Sequence, residues 1–311
     1  MGKIRVCVIG IGYLGKQHAR LYAKLKNAQL VGLCDSDPAK RAVAEEYGVP
    51  FYEDYRALFG QVDAASIVVP TQDHHRIAKD FLEQGIPLLI EKPITKTVEE
   101  ADELLKIAKD RNCLVQVGHI ERFNSAFLAA LPFIKNPMFI ECHRLGPFKK
   151  RALDVGVVLD LMIHDIDIVL SIVKSPLDRV DGIGIPVLTD HEDIANARLS
   201  FQNGAVANLT ASRLTEKSMR KVRIFAEGTY VSLDTVGQKG MRYWKENGEI
   251  HGSGIHFKRQ EPLEQELISF LDAVAMGRSP VVPGEEAREA LRFALEIQEK
   301  IRCHKRWPND A

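Results

Sequence analysis

Short apolar runs alternate with amphipathic stretches through the first third of the chain. Residues 4–9, 30–34, 65–69, 88–90 and 114–117 are almost wholly apolar. Between them the spacing predicts helices over 13–25, 38–47, about 74–83 and 95–111. The last puts Val98, Ala101, Leu104, Leu105 and Ala108 on one face. Apolar strands alternating with helices predict an α/β, doubly wound parallel sheet, buried on both faces. The texture changes after Gly118. Runs at 194–201, 205–212, 222–226, 230–234 and 241–244 have strand character. Hairpin signals such as Gln202-Asn203-Gly204 and Glu227-Gly228 join them, so an antiparallel sheet is expected there. One helix over 156–173 precedes that sheet, and two, over 263–276 and 285–302, follow it. The predicted division is 1–119 for a nucleotide-binding domain and 120–311 for a substrate-binding and oligomerisation domain.

A chain of 311 residues has room for two such cores. Its 42 basic and 42 acidic side chains balance, so no global field draws it to nucleic acid or to an anionic membrane. No apolar stretch approaches the roughly 18 residues needed to span a bilayer. Lys3 and Arg5 precede an apolar run, but Gly10, Gly12 and Gly15 break it, which reads as a first strand rather than an export signal. The five cysteines are odd in number, scattered and without a C-x-x-C pair. They point to free thiols in a reducing cytoplasm and to no metal site.

Candidate chemistry sits where runs end. Gly10-Ile11-Gly12-Tyr13-Leu14-Gly15 fits G-x-G-x-x-G between a strand and a helix. Its glycines permit the tight turn, the approach of a pyrophosphate and close helix packing, and the helix N-terminus offers N–H groups to phosphate. Asp35 ends the second run. A carboxylate there accepts from ribose hydroxyls and repels a 2′-phosphate, which favours NAD as cofactor. Pro70, Thr71 and His74 follow the third run and are candidates for the cofactor's ribose and nicotinamide side, or simply for a helix start capped by Thr71 or Asp73. Pro87-Leu88-Leu89-Ile90-Glu91-Lys92-Pro93 ends a buried strand in an acid and a lysine, which aims Lys92 at whatever lies beside the cofactor. Asp160 and His164 are i,i+4 in a helical pattern, the spacing of an ion pair or of a carboxylate that orients a general base.

Taken together these motifs resemble the Gfo/Idh/MocA oxidoreductase family over nearly the whole chain. The resemblance implies an N-terminal Rossmann domain and a C-terminal α/β domain with a large, open, mostly antiparallel sheet that forms homodimer or homotetramer contacts. It implies hydride transfer between NAD and a sugar or cyclitol hydroxyl, with Lys92, Asp160 and His164 as the catalytic group and a cis bond before Pro93. Cofactor contacts are implied at Gly10, Gly12, Tyr13, Leu14, Gly15, Asp35, Pro70, Thr71, His74, Glu91 and Lys92. Lys92, Arg122, Arg144, Asp160 and His164 are the candidate substrate contacts, and Arg213, Lys217 and Arg220 add a basic segment suited to a diphosphate or to a solvated strand end. The stretches from Val117 to Asn124 and from Asp154 to Val158 look most like the branch that oxidises the C3 hydroxyl of the nucleotide sugar UDP-N-acetylglucosamine, typically ahead of a sugar aminotransferase. Ser125 stands where that branch usually has proline, and Met162 where the wider family often has glycine. The alternatives are a dehydrogenase of a free sugar or myo-inositol and a non-catalytic NAD(H)-binding regulator.

Overall fold

The computed structural model describes residues 2–148 and 155–304, and within them the apolar runs of the first third become six parallel strands. These are β1 (Ile4–Ile9), β2 (Ala28–Cys34), β3 (Phe51–Tyr52), β4 (Ala64–Ile67), β5 (Leu88–Ile90) and β6 (Val115–Val117), ordered β3-β2-β1-β4-β5-β6. The order reverses between β1 and β4, the place where such sheets bind ligands beyond the strands' carboxyl ends. Helices α1 (Tyr13–Tyr22), α2 (Arg41–Glu46), α3 (Thr71–Glu83) and α4 (Val98–Asp110) make the crossovers.

Local chemistry trims the predicted helices. Asp37 caps a single 3₁₀ turn, Pro38–Lys40, before α2 begins. Thr97 caps α4, accepting from Glu100 N at 3.2 Å, while the Glu100 carboxylate accepts from Lys96 N at 3.0 Å. Neither Thr71 nor Asp73 caps α3. Pro70 occupies the cap position without a side-chain bond, and Asp73 accepts instead from Arg76 at 3.1 Å.

The chain divides into two compact units, and the first includes more than its N-terminal segment. It takes in residues up to Ile120 together with Glu261–Glu289. The sequence division placed all of 120–311 in one domain. The difference is α7 (Pro262–Met276), whose Leu263, Leu267, Phe270 and Leu271 pack with Val6, Val8, Tyr22 and Leu89. A parallel sheet must be covered on both faces, and α7 supplies cover that the N-terminal segment lacks. The chain after it pairs with β6: Val117 N donates to Val282 O at 3.1 Å.

The second unit holds Glu121–Gln260 and the chain from Ala290 onward. Its sheet has eight strands: β7 (Pro137–Leu145), β8 (Leu177–Ile185), β9 (Ile194–Phe201), β10 (Val206–Ser212), β11 (Met219–Ala226), β12 (Thr229–Asp234), β13 (Lys239–Glu246) and β14 (Glu249–Gly254). The order is β14-β13-β12-β11-β7-β10-β9-β8, antiparallel except for the parallel β7–β10 pair. Short α5 (Ser125–Ala130) precedes the sheet. A π-helical turn, Val158–Met162, runs into α6 (Ile163–Val173) where the sequence predicted one continuous helix. With the later part of α8 (Gly284–His304), α6 covers one face of the sheet: Ile166, Val169, Phe293 and Ile297 meet Ile140, Leu199, Leu209 and Ile224. Among the described residues no helix is long and apolar enough to cross a membrane.

Gly15 is the tightest point of the first βα turn, since a Cβ there would lie 1.8 Å from Gly10 O. Gly15→Ala should therefore lower unfolding stability by about 3 kcal/mol, read from the urea midpoint. An unchanged midpoint would refute this packing.

Candidate active site

In the first unit, nucleotide-binding candidates collect at the carboxyl ends of β1, β2, β4 and β5. Gly10 turns with φ +89, a conformation that favours glycine, and a Cβ on it would sit 2.5 Å from Val68 O. Gly12 has nothing within 4 Å of where its Cβ would be, so the chain there is bare to an approaching group. No side chain caps α1, which leaves its first N–H groups for a ligand. Tyr13 and Leu14 are exposed on that first turn. The Asp35 carboxylate accepts from Ile11 N at 2.6 Å and from Asp37 N at 3.0 Å, tying the glycine loop to the end of β2. A bare backbone cradle with an acid beside it suits a dinucleotide with unmodified ribose hydroxyls.

Beyond β4 and β5 the loops are fastened from inside. Pro70 is exposed and Thr71 half-buried where α3 starts, but the His74 ring is buried. Its Nδ1 lies 2.9 Å from Pro93 O and its Nε2 2.9 Å from Val69 O, so the ring sits between the two loops, and its neutral form donates to one of these carbonyls. Burial holds this imidazole below the ordinary histidine value, against the pull of those carbonyls. Glu91 is buried as well. One carboxylate oxygen lies 3.3 Å from His18 Nε2, and the other accepts from Lys92 N at 3.2 Å. Burial pushes the Glu91 carboxyl up, but His18 and the Lys92 charge outweigh it and hold it below its usual value. Lys92 itself is half-buried, and the Lys92–Pro93 bond is cis. The sequence reading did not single out His18. The signal was there: a histidine three residues after Gly15, on the buried face of α1.

In the second unit, Glu192 sets the start of the helix that carries Asp160 and His164. Its backbone O accepts from Val157 N at 2.9 Å, and its carboxylate accepts from Val158 N at 3.4 Å and Gln298 Nε2 at 3.1 Å. The carboxyl crowds Gly156 so closely that a Cβ would lie 2.0 Å away. Asp160 falls in the π turn, so the α-helical i,i+4 register read from sequence does not describe it; π turns recur at functional sites. His164 opens α6, and both side chains are half-buried. Asp154, from the motif noted above, lies outside the described residues. Met162 is fully buried in the core, and Ser125 Oγ accepts from Gln260 N at 3.1 Å.

The arginines divide by burial. Arg144, expected among the substrate contacts, is 2% exposed. Its Nε and Nη2 donate to Asp165 at 3.1 and 2.8 Å, and its Nη1 donates to Glu121 at 2.8 Å. The fork is occupied by protein carboxylates, so Arg144 joins Glu121 to Asp165. Burial pushes the Glu121 carboxyl up, but Arg144 overcomes that and holds it below its ordinary value. Arg122 Nη1 donates to the buried Asp167 at 3.3 Å. Arg213 is also buried and donates to Val155 O at 2.7 Å. Arg220 is the half-exposed member, 3.4 Å from Glu121. A pocket of about 70 Å³ is lined by Arg144, Asp160, Arg213, Ser218 and Arg220.

Comparison with known proteins fits this arrangement. Residues 4–119 match the Gfo/Idh/MocA oxidoreductase family, NAD-binding Rossmann fold, and residues 116–241 match the Gfo/Idh/MocA C-terminal domain. The chain is 36% identical over 304 residues to UDP-N-acetylglucosamine 3-dehydrogenase of Acidithiobacillus ferrooxidans, covering 95% of this chain and 96% of that protein. A solved structure of that enzyme superposes with a TM-score of 0.92 at 35% identity, covering 97% of this chain and 99% of the other. The scyllo-inositol 2-dehydrogenase (NAD(+)) of Bacillus subtilis is 26% identical over 326 residues, covering 96% of this chain and 94% of that protein.

Two substitutions check the two halves. Gly12→Ala meets no neighbour, so its melting temperature should stay at the wild-type value while NAD affinity, followed by fluorescence titration, falls about tenfold or more. Undiminished affinity would remove Gly12 from the cofactor site. Arg144→Met strands two buried carboxylates and should cost about 3–5 kcal/mol in chemical denaturation. A loss below about 1 kcal/mol, that of an exposed pair, would contradict the burial described.

Proposed function

This chain belongs to the Gfo/Idh/MocA oxidoreductase family with its NAD-binding Rossmann fold, and on that footing we propose that it is an NAD-dependent dehydrogenase oxidising the C3 hydroxyl of UDP-N-acetylglucosamine to the 3-keto sugar. The observation that carries the substrate is the likeness to the Acidithiobacillus ferrooxidans enzyme, which runs through both units. Residues 1–119 bind the cofactor and the domain within 120–311 binds the sugar, with α7 serving as cover for the first sheet.

The chemistry assigned to the chain is proton handling and charge stabilisation. His164 takes the proton from the sugar hydroxyl as the C–O bond gains double-bond character. Asp160 orients His164 and favours its cation. Lys92 donates a hydrogen bond to the oxygen as negative charge develops there. The hydride leaving C3 would go to bound NAD, so one proton and one hydride account for the oxidation. Gly10, Gly12, Tyr13, Leu14 and Gly15 would hold the pyrophosphate of a bound NAD, and Asp35 its ribose. Arg122 and the half-exposed Arg220 are the guanidinium groups assigned to the nucleotide diphosphate. The keto product is the natural substrate for an aminotransferase, which we place next in sequence.

The protein is assigned to the cytoplasm as a homodimer or homotetramer. Unpaired cysteines support the compartment. The open sheet face supports the assembly: Phe225, Tyr230 and Tyr243 stack across β11, β12 and β13, Phe139 of β7 lies tilted against Phe225, and Phe225 and Tyr243 are exposed.

The test is absorbance of reduced nicotinamide with purified protein, NAD and UDP-N-acetylglucosamine, with a glutamate-dependent aminotransferase added to draw off the ketone. Wild type should give signal, and Lys92→Ala and His164→Ala should each lose about 100-fold or more while still binding NAD. Near-normal rates in both variants would sink this catalytic group. Signal with myo- or scyllo-inositol but none with the nucleotide sugar would move the substrate to the cyclitols, toward the Bacillus subtilis relative.

A further inference from the structure

We propose that His18 is a positioning residue for Lys92, acting through the Glu91 carboxylate; the inference rests on the reading of Lys92 as the donor at the reacting oxygen. Three observations lead to it. The His18 ring is fully buried in α1, the helix whose first turn carries the glycine loop. Its one hydrogen bond among the described residues runs from Nε2 to Glu91 Oε1 at 3.3 Å, and Nδ1 is buried without a partner there. Glu91 Oε2 in turn accepts from Lys92 N at 3.2 Å.

The direction of the bond follows from charge. An ionised carboxylate only accepts, so His18 Nε2 carries the proton and donates. The carboxylate is also walled in. Gly118, at the end of β6, passes so close that a Cβ there would lie 3.0 Å from the Glu91 carboxyl. Glu91 N is fixed by its bond to Ile67 O at 3.0 Å. His18 Nε2 meets the carboxylate oxygen that Lys92 N does not, so both oxygens of the carboxylate are held. The carboxylate so held accepts from Lys92 N, a bond that restrains the peptide from which the Lys92 side chain extends.

Packing alone does not account for a histidine here. An apolar side chain of similar volume would fill the site without leaving a buried ring nitrogen unsatisfied. The polar ring is explained by what it does to Glu91.

Two amides separate the alternatives. In His18→Gln the side-chain nitrogen reaches about as far as Nε2 and can still donate to Glu91. In His18→Asn it is one carbon too short. Both are assayed with NAD and the nucleotide sugar, alone and in a Lys92→Ala background, with NAD affinity measured separately by fluorescence titration. His18→Asn should lower kcat about 10- to 100-fold, the cost of a misplaced catalytic group, with KM and NAD affinity within about threefold of wild type. His18→Gln should recover most of that loss, and in the Lys92→Ala background His18→Asn should lower the residual rate no further. The proposal is overturned if Gln and Asn behave alike, if the loss follows NAD affinity, or if it persists undiminished without Lys92. A wild-type rate in Lys92→Ala alone would be a separate failure, of the role given to Lys92 itself.

Discussion

A carboxylate shut away from water has to be matched where it stands, and each unit of this protein buries such groups beside the residues assigned to the chemistry. In the first it is Glu91, at the mouth of β5, held by His18 and by Lys92 N. In the second it is the pair Glu121 and Asp165, joined through the Arg144 fork. Each lies next in the chain to a residue assigned to the chemistry. Lys92 follows Glu91, and His164 precedes Asp165. A buried pair of this kind adds little stability over an apolar core, yet breaking it is costly. Its effect is to leave one arrangement open to the backbone on which the reactive side chain is mounted.

The parts of the fold legible in sequence were those whose burial is simple. β1, β4 and β5 are largely buried and read as nearly continuous apolar runs, broken by Arg5 in β1 and Ser66 in β4. The glycine fingerprint and Asp35 were legible because backbone geometry demands those residues at those points. β3 was lost because two residues carry no period. In β8, Gly182 and Gly184 interrupt the apolar pattern, and the reason is distant in sequence: a Cβ on Gly184 would meet the Ile301 side chain at 2.8 Å. β14 is largely exposed, so burial never shaped its composition. α7 was legible as a helix, but nothing in its own sequence says which sheet it covers.

The site was legible by residue type and less so by role. Arginine on a strand near a proposed sugar pocket reads as a ligand for phosphate. Arg144 has that position and also meets two internal carboxylates, which sequence did not show because Glu121 and Asp165 come from segments whose meeting no local pattern encodes. His74 reads as a cofactor contact, and its ring turns out to lie between two carbonyls. The π turn at Asp160 was hidden for another reason. A single widened turn leaves the apolar positions Val158 and Met162 buried, so the hydrophobic pattern of a regular helix survives it.

The same contrast bears on whether the chain is a catalyst or only a sensor of NAD. Binding a dinucleotide needs the glycine loop, an uncapped α1 and Asp35, all in the first unit. It makes no demand on the rotation of α6 in the second. Yet α6 carries buried acids at 165 and 167, met by Arg144 and Arg122. A helix needed only as cover would hold its place on Ile163, Ile166 and Val169, which are already buried. Alternate charged pairs beneath it pin its rotation as well as its position, and what that rotation governs is the direction of the half-buried His164. A sensor has no use for such a constraint. An enzyme whose base must meet one hydroxyl does.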